Sequence, residues 1–145
     1  YEVAASPLQM LMVASAIAND GVLMKPHLVK SVTGSDLKVI QTVQPEQMSR
    51  PIGGGTAKQL RQMMENVVSD GTGSPADISG LTVGGKTGTA QSDPNRPPYA
   101  WFVGYASEPH VAVVAFVQST AVSRDDISGG KVAAPIFKAV VEAVK

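Results

Sequence analysis

The sequence predicts an α+β fold in which an antiparallel β-sheet is flanked by helices, and three observations carry that expectation. Two stretches with helix-start chemistry, opening at Ser6 and Thr56, and a third over Lys131–Lys145 show apolar residues at helical spacing. Between the second and third lie three β-rich runs, Gly84–Gln91, Ala100–Tyr105 and Val111–Gln118. The links between these runs are short, which favours antiparallel pairing. Helices before and after a run of strands make an α+β layout, with the helices packed on the sheet.

The elements follow in order. Ser6-Pro7-Leu8-Gln9 opens the first helix: Ser6 can cap, Pro7 suits the first helical position and Gln9 completes a capping box. Leu8, Leu11, Met12, Ser15 and Ala16 continue at helical spacing to Gly21, with the methionines read as packing. Leu28–Thr33 and Leu37–Val43 flank Gly34-Ser35-Asp36 and predict a hairpin. His27 reads as structural, because no carboxylate or second histidine stands at metal-ligand spacing. Gln44–Gly55, with two prolines and three glycines, reads as a connector.

Thr56 and Gln59 predict a second capping box, and Leu60, Met63, Met64, Val67 and Val68 form an apolar stripe that Gly71 ends. Gly71–Gly80 is a loop, and Ser92–Pro98 must break any ladder with its three prolines. Val111–Gln118 is apolar on both faces and is expected at the centre of the sheet, covered on both sides. The last helix is expected to bury Ala133, Ile136, Phe137, Val140, Val141 and Val144, with Pro135 tolerated near its first turn.

Composition narrows the function. At 145 residues the chain is one domain or part of one. Lys+Arg and Asp+Glu are both 12, so no net field favours nucleic acid or an anionic membrane. Cysteine is absent, which excludes disulfide and thiolate chemistry and fits an extracytoplasmic setting. No apolar run is long enough to cross a membrane as a helix. The opening Tyr1-Glu2-Val3, without an initiator methionine, gives the expectation of a segment of a longer protein.

The chemistry concentrates in Gly84–Gln91, G-G-K-T-G-T-A-Q. As a strand it turns Lys86, Gly88 and Ala90 to one face and Thr87, Thr89 and Gln91 to the other. Gly88 leaves bare backbone that another element can approach. A lysine beside open backbone N–H groups suits an anionic ligand or a developing oxyanion. A rival reading exists, because Gly80–Thr87 satisfies the phosphate-loop pattern G-x-x-x-x-G-K-T. That loop needs a helix directly after it. Here Gly88 and then Ser92-Asp93-Pro94 follow, so the phosphate-loop reading is set aside.

G-G-K-T-G-T-A-Q followed by Ala100-Trp101-Phe102-Val103-Gly104-Tyr105 is similar to the C-terminal part of class B penicillin-binding proteins. So are Ser6–Met10, Ala18–Gly21, Val67-Val68 with Gly71-Thr72-Gly73, and Ala133–Phe137, in the same order. K-T-G is one of three motifs, with S-x-x-K and S-x-N, that mark penicillin-recognising enzymes.

The resemblance implies a peptidoglycan D,D-transpeptidase: a serine attacks D-Ala-D-Ala stem peptides, an acyl-enzyme forms, and β-lactams acylate the same serine. It implies a catalytic role for Lys86 and for the backbone N–H of Thr89, an oxyanion donor. It implies substrate binding by Thr87, Gly88, Thr89 and Gln91. It also implies packing beneath the site for Trp101 and Phe102, no metal, no cofactor, and a place outside the cytoplasmic membrane with an anchor elsewhere in the protein.

The nucleophile is not in this chain. No S-x-N occurs. Ser35-Asp36-Leu37-Lys38 and Ser128-Gly129-Gly130-Lys131 spell S-x-x-K but are rejected, the first as a turn between strands, the second because it follows K-T-G. Residues 1–145 are therefore expected to be the C-terminal segment of a single transpeptidase domain, whose partner is the upstream segment carrying the nucleophile. The alternative is a non-catalytic scaffold of the same fold that binds a peptide or partner.

Overall fold

The computed structural model describes residues 4–91 and 95–145. Helix α1 spans Pro7–Ala18 behind a complete capping box: Gln9 N donates to Ser6 Oγ, and Ser6 N donates to Gln9 Oε1. The chain then forms β1 (Leu23–Met24), a hairpin of β2 (Ser31–Thr33) and β3 (Val39–Thr42), and β4 (Gln47–Ser49). β4 pairs antiparallel with β1, so the expected connector contains a short strand. The hairpin forms as expected, but nothing among the described residues covers it, and Leu28, Leu37 and Ile40 are exposed.

Helix α2 covers Gly54–Asp70. It starts three residues earlier than a cap at Thr56 implies, with Gly53 at the cap and no side-chain cap bond, so the Thr56–Gln59 box does not form. Its buried face is Ala57, Met64 and Val68, with Leu60 and Val67 half-buried; Met63, expected in the stripe, is exposed. Gly71 ends it, and a 3₁₀ turn over Ser74–Ala76 leads to the main sheet.

That sheet has the order β5 (Val83–Ala90), β6 (Tyr99–Ala106), β7 (Val111–Val117), antiparallel throughout. Among the described residues the middle strand is β6, not the Val111–Gln118 run expected there; β7 lies at an edge. Apolar residues on both faces are explained by cover from α1 and α3, which says nothing about lateral position. The ladder-breaking stretch Ser92–Pro98 lies partly outside the described residues, at 92–94.

Alternation along the strands builds two layers. Val83, Phe102, Ala100, Ala106 and Ala115 join Val68, Ile127, Phe137 and Val141 in the main core. The last helix, α3 (Ala134–Ala143), follows a π-helical turn over Gly129–Ala133. It buries Ala134, Phe137 and Val141, while Ile136, Val140 and Val144 of the expected stripe are exposed. The other sheet face presents Val103 and Tyr105 toward α1 and α2.

Two glycines let the sheet close on both sides. A Cβ at Gly84 would lie 2.5 Å from Tyr105 Cζ, and one at Gly85 would strike the Phe102 ring. One ring therefore crosses β5 on each face, where any side chain would exclude it. The Tyr105 hydroxyl, carried over Gly84, donates to Glu65 Oε1 of α2 at 3.0 Å.

Candidate active site

Anchored in this way, β5 runs on as an edge strand through Lys86, Thr87, Gly88, Thr89 and Ala90, changing from buried to exposed. The strand passes straight through the letters G-G-K-T, with neither a phosphate-cradling loop nor a following helix, so the phosphate-loop reading fails on geometry.

The ladder fixes which backbone groups are free. Ser107 N donates to Thr82 O at 3.0 Å, which makes Thr82 and Ser107 a hydrogen-bonded pair. In an antiparallel ladder such pairs alternate. With Val83 opposite Ala106 and so on to Ala90 opposite Tyr99, Lys86 and Gly88 bond inward to β6. The N–H and C=O groups of Thr87 and Thr89 then point out along the sheet edge. Consistent with this, Thr87 O is free to accept from Lys86 Nζ at 2.8 Å.

The two threonine hydroxyls lie on the sheet face opposite Lys86, and each meets a residue from outside the strand. Thr87 Oγ1 is 2.7 Å from Thr72 Oγ1, in the loop after α2. Gly129 N donates to Thr89 Oγ1 at 3.4 Å. Gly129 can do this because it has no Cβ, which would stand 2.7 Å from both N and O of Gly88 and against Trp101 O. The close approach expected at Gly88 is thus made by the start of the C-terminal helical segment.

Gln91 is exposed, and its Oε1 accepts from Arg124 Nη2 at 3.2 Å while Arg124 Nη1 donates to Arg96 O at 2.8 Å. Phe102 is buried beneath the strand; Trp101 is half-buried and packs on Phe116, ring centroids 4.3 Å apart. Thr72, Gly129 and Arg124 are contacts that sequence reasoning did not assign. The Gly-Thr-Gly run carried a signal; Arg124 and Gly129 are brought in by tertiary packing.

Neither S-x-x-K match has an activated serine. Ser128 Oγ accepts from Lys131 N as a helix cap, and Lys131 Nζ pairs with Asp126 at 2.8 Å. That ammonium, with Ser123 Oγ, holds the exposed Asp126 carboxyl below the usual carboxylate range. Lys38 pairs with Asp36 at 3.1 Å, and Ser35 sits in an exposed turn. Among the described residues no cluster of His, Cys, Asp and Glu could hold a metal, and no helix is long and apolar enough to cross a membrane. A cavity of about 990 Å³ is lined by α1, β1, Arg61 and Glu65 of α2 and the ends of β6 and β7, away from Lys86.

Comparison with known proteins agrees with this geometry. The family model described as penicillin binding protein transpeptidase domain matches residues 1–142. The peptidoglycan D,D-transpeptidase PbpA of Mycolicibacterium smegmatis is 40% identical over 147 residues, covering 98% of this chain and 30% of that protein. Stage V sporulation protein D of Bacillus subtilis is 33% identical over 92% of this chain and 22% of its own length. Penicillin-binding protein A from M. tuberculosis, solved as an imipenem acyl-enzyme complex, superposes with a TM-score of 0.83 at 34% identity, covering 99% of this chain and 32% of that one. The chain thus spans between about a fifth and a third of the length of these relatives.

Proposed function

This chain belongs to the penicillin-binding protein transpeptidase family, and on that premise we propose that it forms one wall of the active site of a peptidoglycan D,D-transpeptidase. The observation that carries the reading is the edge of β5. A cation, two hydroxyls and two outward backbone N–H groups lie within Lys86–Thr89, on a strand held rigid from both faces.

In this reading residues 1–145 are the C-terminal segment of one transpeptidase domain, and an upstream segment supplies the attacking serine and its base. The serine oxygen adds to the D-Ala-D-Ala carbonyl. The outward N–H of Thr89 donates to the oxyanion, a kind of contact worth about 10²–10³ in rate in other acyl-transfer enzymes. The terminal D-alanine leaves, and an amine from a second strand resolves the acyl-enzyme. A β-lactam takes the place of the stem peptide and stays attached. Lys86 supplies positive potential beside the carboxylate end of the substrate, and Thr87 and Thr89 bind that carboxylate through their hydroxyls. Gln91, tied to Arg124, borders the site. The enzyme works outside the cytoplasmic membrane, where its cell-wall substrate is, and is anchored by a part beyond these residues.

Labelling of the complete protein with a fluorescent penicillin tests this. A covalent label that survives denaturation is expected; a folded, complete protein that stays unlabelled supports the non-catalytic scaffold instead.

A further inference from the structure

Thr72 lies in the Gly71-Thr72-Gly73 loop, fourteen positions before Lys86, yet its hydroxyl is 2.7 Å from that of Thr87. The loop is pinned on several sides. Gly73 N donates to Val67 O at 2.9 Å and Ser74 N to Gly71 O at 3.2 Å. The Thr72 carbonyl packs on Gly130, where a Cβ would strike it, and Gly130 lies beside Thr87 Cγ2. The contact between hydroxyls is thus set by α2, the π-helical turn and β5 together.

Each hydroxyl has a single proton. If Thr87 is to give its proton to a carboxylate, a stronger acceptor than another hydroxyl, it must accept the bond from Thr72. Thr89 meets the same requirement with a backbone donor, Gly129 N–H. We propose that Thr72 is a positioning residue of the carboxylate subsite: its hydroxyl donates to Thr87 Oγ1 and so aims the Thr87 proton at the carboxylate of substrate or β-lactam. This rests on the transpeptidase reading of the site. Of the two donors behind the threonine pair, Thr72 is the one a substitution can remove.

The test compares the complete wild-type protein with Thr72→Val and Thr72→Ser in acylation by a penicillin and by its methyl ester, which lacks the carboxylate charge. Thr72→Val is expected to slow acylation by the free acid about tenfold, the size of one lost hydrogen bond to a charged system. The ester rate should be unchanged, and Thr72→Ser should restore the free-acid rate. Thr72→Ala, which removes the hydroxyl without bulk, gives the same ratio should the valine variant misfold. Equal loss with acid and ester, or no loss with either, overturns the role of Thr72 while leaving the transpeptidase reading intact. A wild-type protein that neither compound acylates overturns the transpeptidase reading, and this inference with it.

Discussion

The two halves of β5 are built on opposite principles. Val83, Gly84 and Gly85 are buried, and the glycines serve by what they lack, admitting Tyr105 on one face and Phe102 on the other. Lys86 to Ala90 are half-buried or exposed, and they serve by what they carry: an ammonium, two hydroxyls and free edge amides. The first half holds the strand in place, and the second uses that rigidity to present polar groups in fixed directions. Substitutions should therefore separate: stability should fall in the first half and rate in the second.

The largest expected effect is on the anchoring half. Phe102 is 0% exposed and packs on Phe137 with ring centroids 4.8 Å apart. Phe102→Ala should cost about 3–5 kcal/mol, read by denaturant unfolding of the complete domain. A loss below about 1 kcal/mol would mean the ring over Gly85 is not an anchor.

Lys86→Ala tests the other half. The side chain is exposed and among the described residues bonds only Thr87 O. Penicillin acylation should slow by about 10²–10³, by analogy with other electrostatic donors at acyl-transfer sites. The unfolding free energy should stay within about 0.5 kcal/mol of wild type, as for surface changes generally. Gly85→Ala reverses that pattern. Its Cβ meets a buried ring that has nowhere to move, and overpacking of this kind costs about 1–3 kcal/mol. The rate per folded molecule should change little; a large rate loss with unaltered stability would break the division between the halves.

Some of this plan was readable from residue letters, and the reasons are local. The Ser6–Gln9 box formed because both partners and Pro7 lie within one turn. The Thr56–Gln59 box, with similar letters, did not, because Gly54 and Gly55 entered the helix first. The face alternation of β5 followed from its period of two. The central place of β6 did not, since a strand's apolar pattern reports what covers its faces and not which neighbour lies beside it. Ile136 and Val140 matched the helical period of α3, yet only the stripe through Ala134, Phe137 and Val141 meets the sheet. The Thr72–Thr87 contact joins residues fifteen apart through three elements, and no spacing rule reaches that far.

The smallest effect concerns Tyr105, which spans the two layers on the anchoring side. The residue is 4% exposed, and its hydroxyl donates to Glu65 at 3.0 Å and lies 3.4 Å from Arg61 O. Burial, and next the Glu65 carboxylate, push its phenol well above its ordinary range near 10. The neutral form is therefore favoured in the folded protein. That contribution is fully present below the unfolded-state value of about 10 and is lost as pH rises above it. Tyr105→Phe removes the hydrogen bond and should cost about 0.5–1.5 kcal/mol at neutral pH. The difference between wild type and variant should stay flat from pH 7 to about 10 and shrink beyond it, because wild type alone must hold back an ionisation. Unfolding curves of both proteins across that range read this directly. A difference that grows with pH would mean that the folded protein favours the phenolate, and that Tyr105 belongs with the reactive half of the strand.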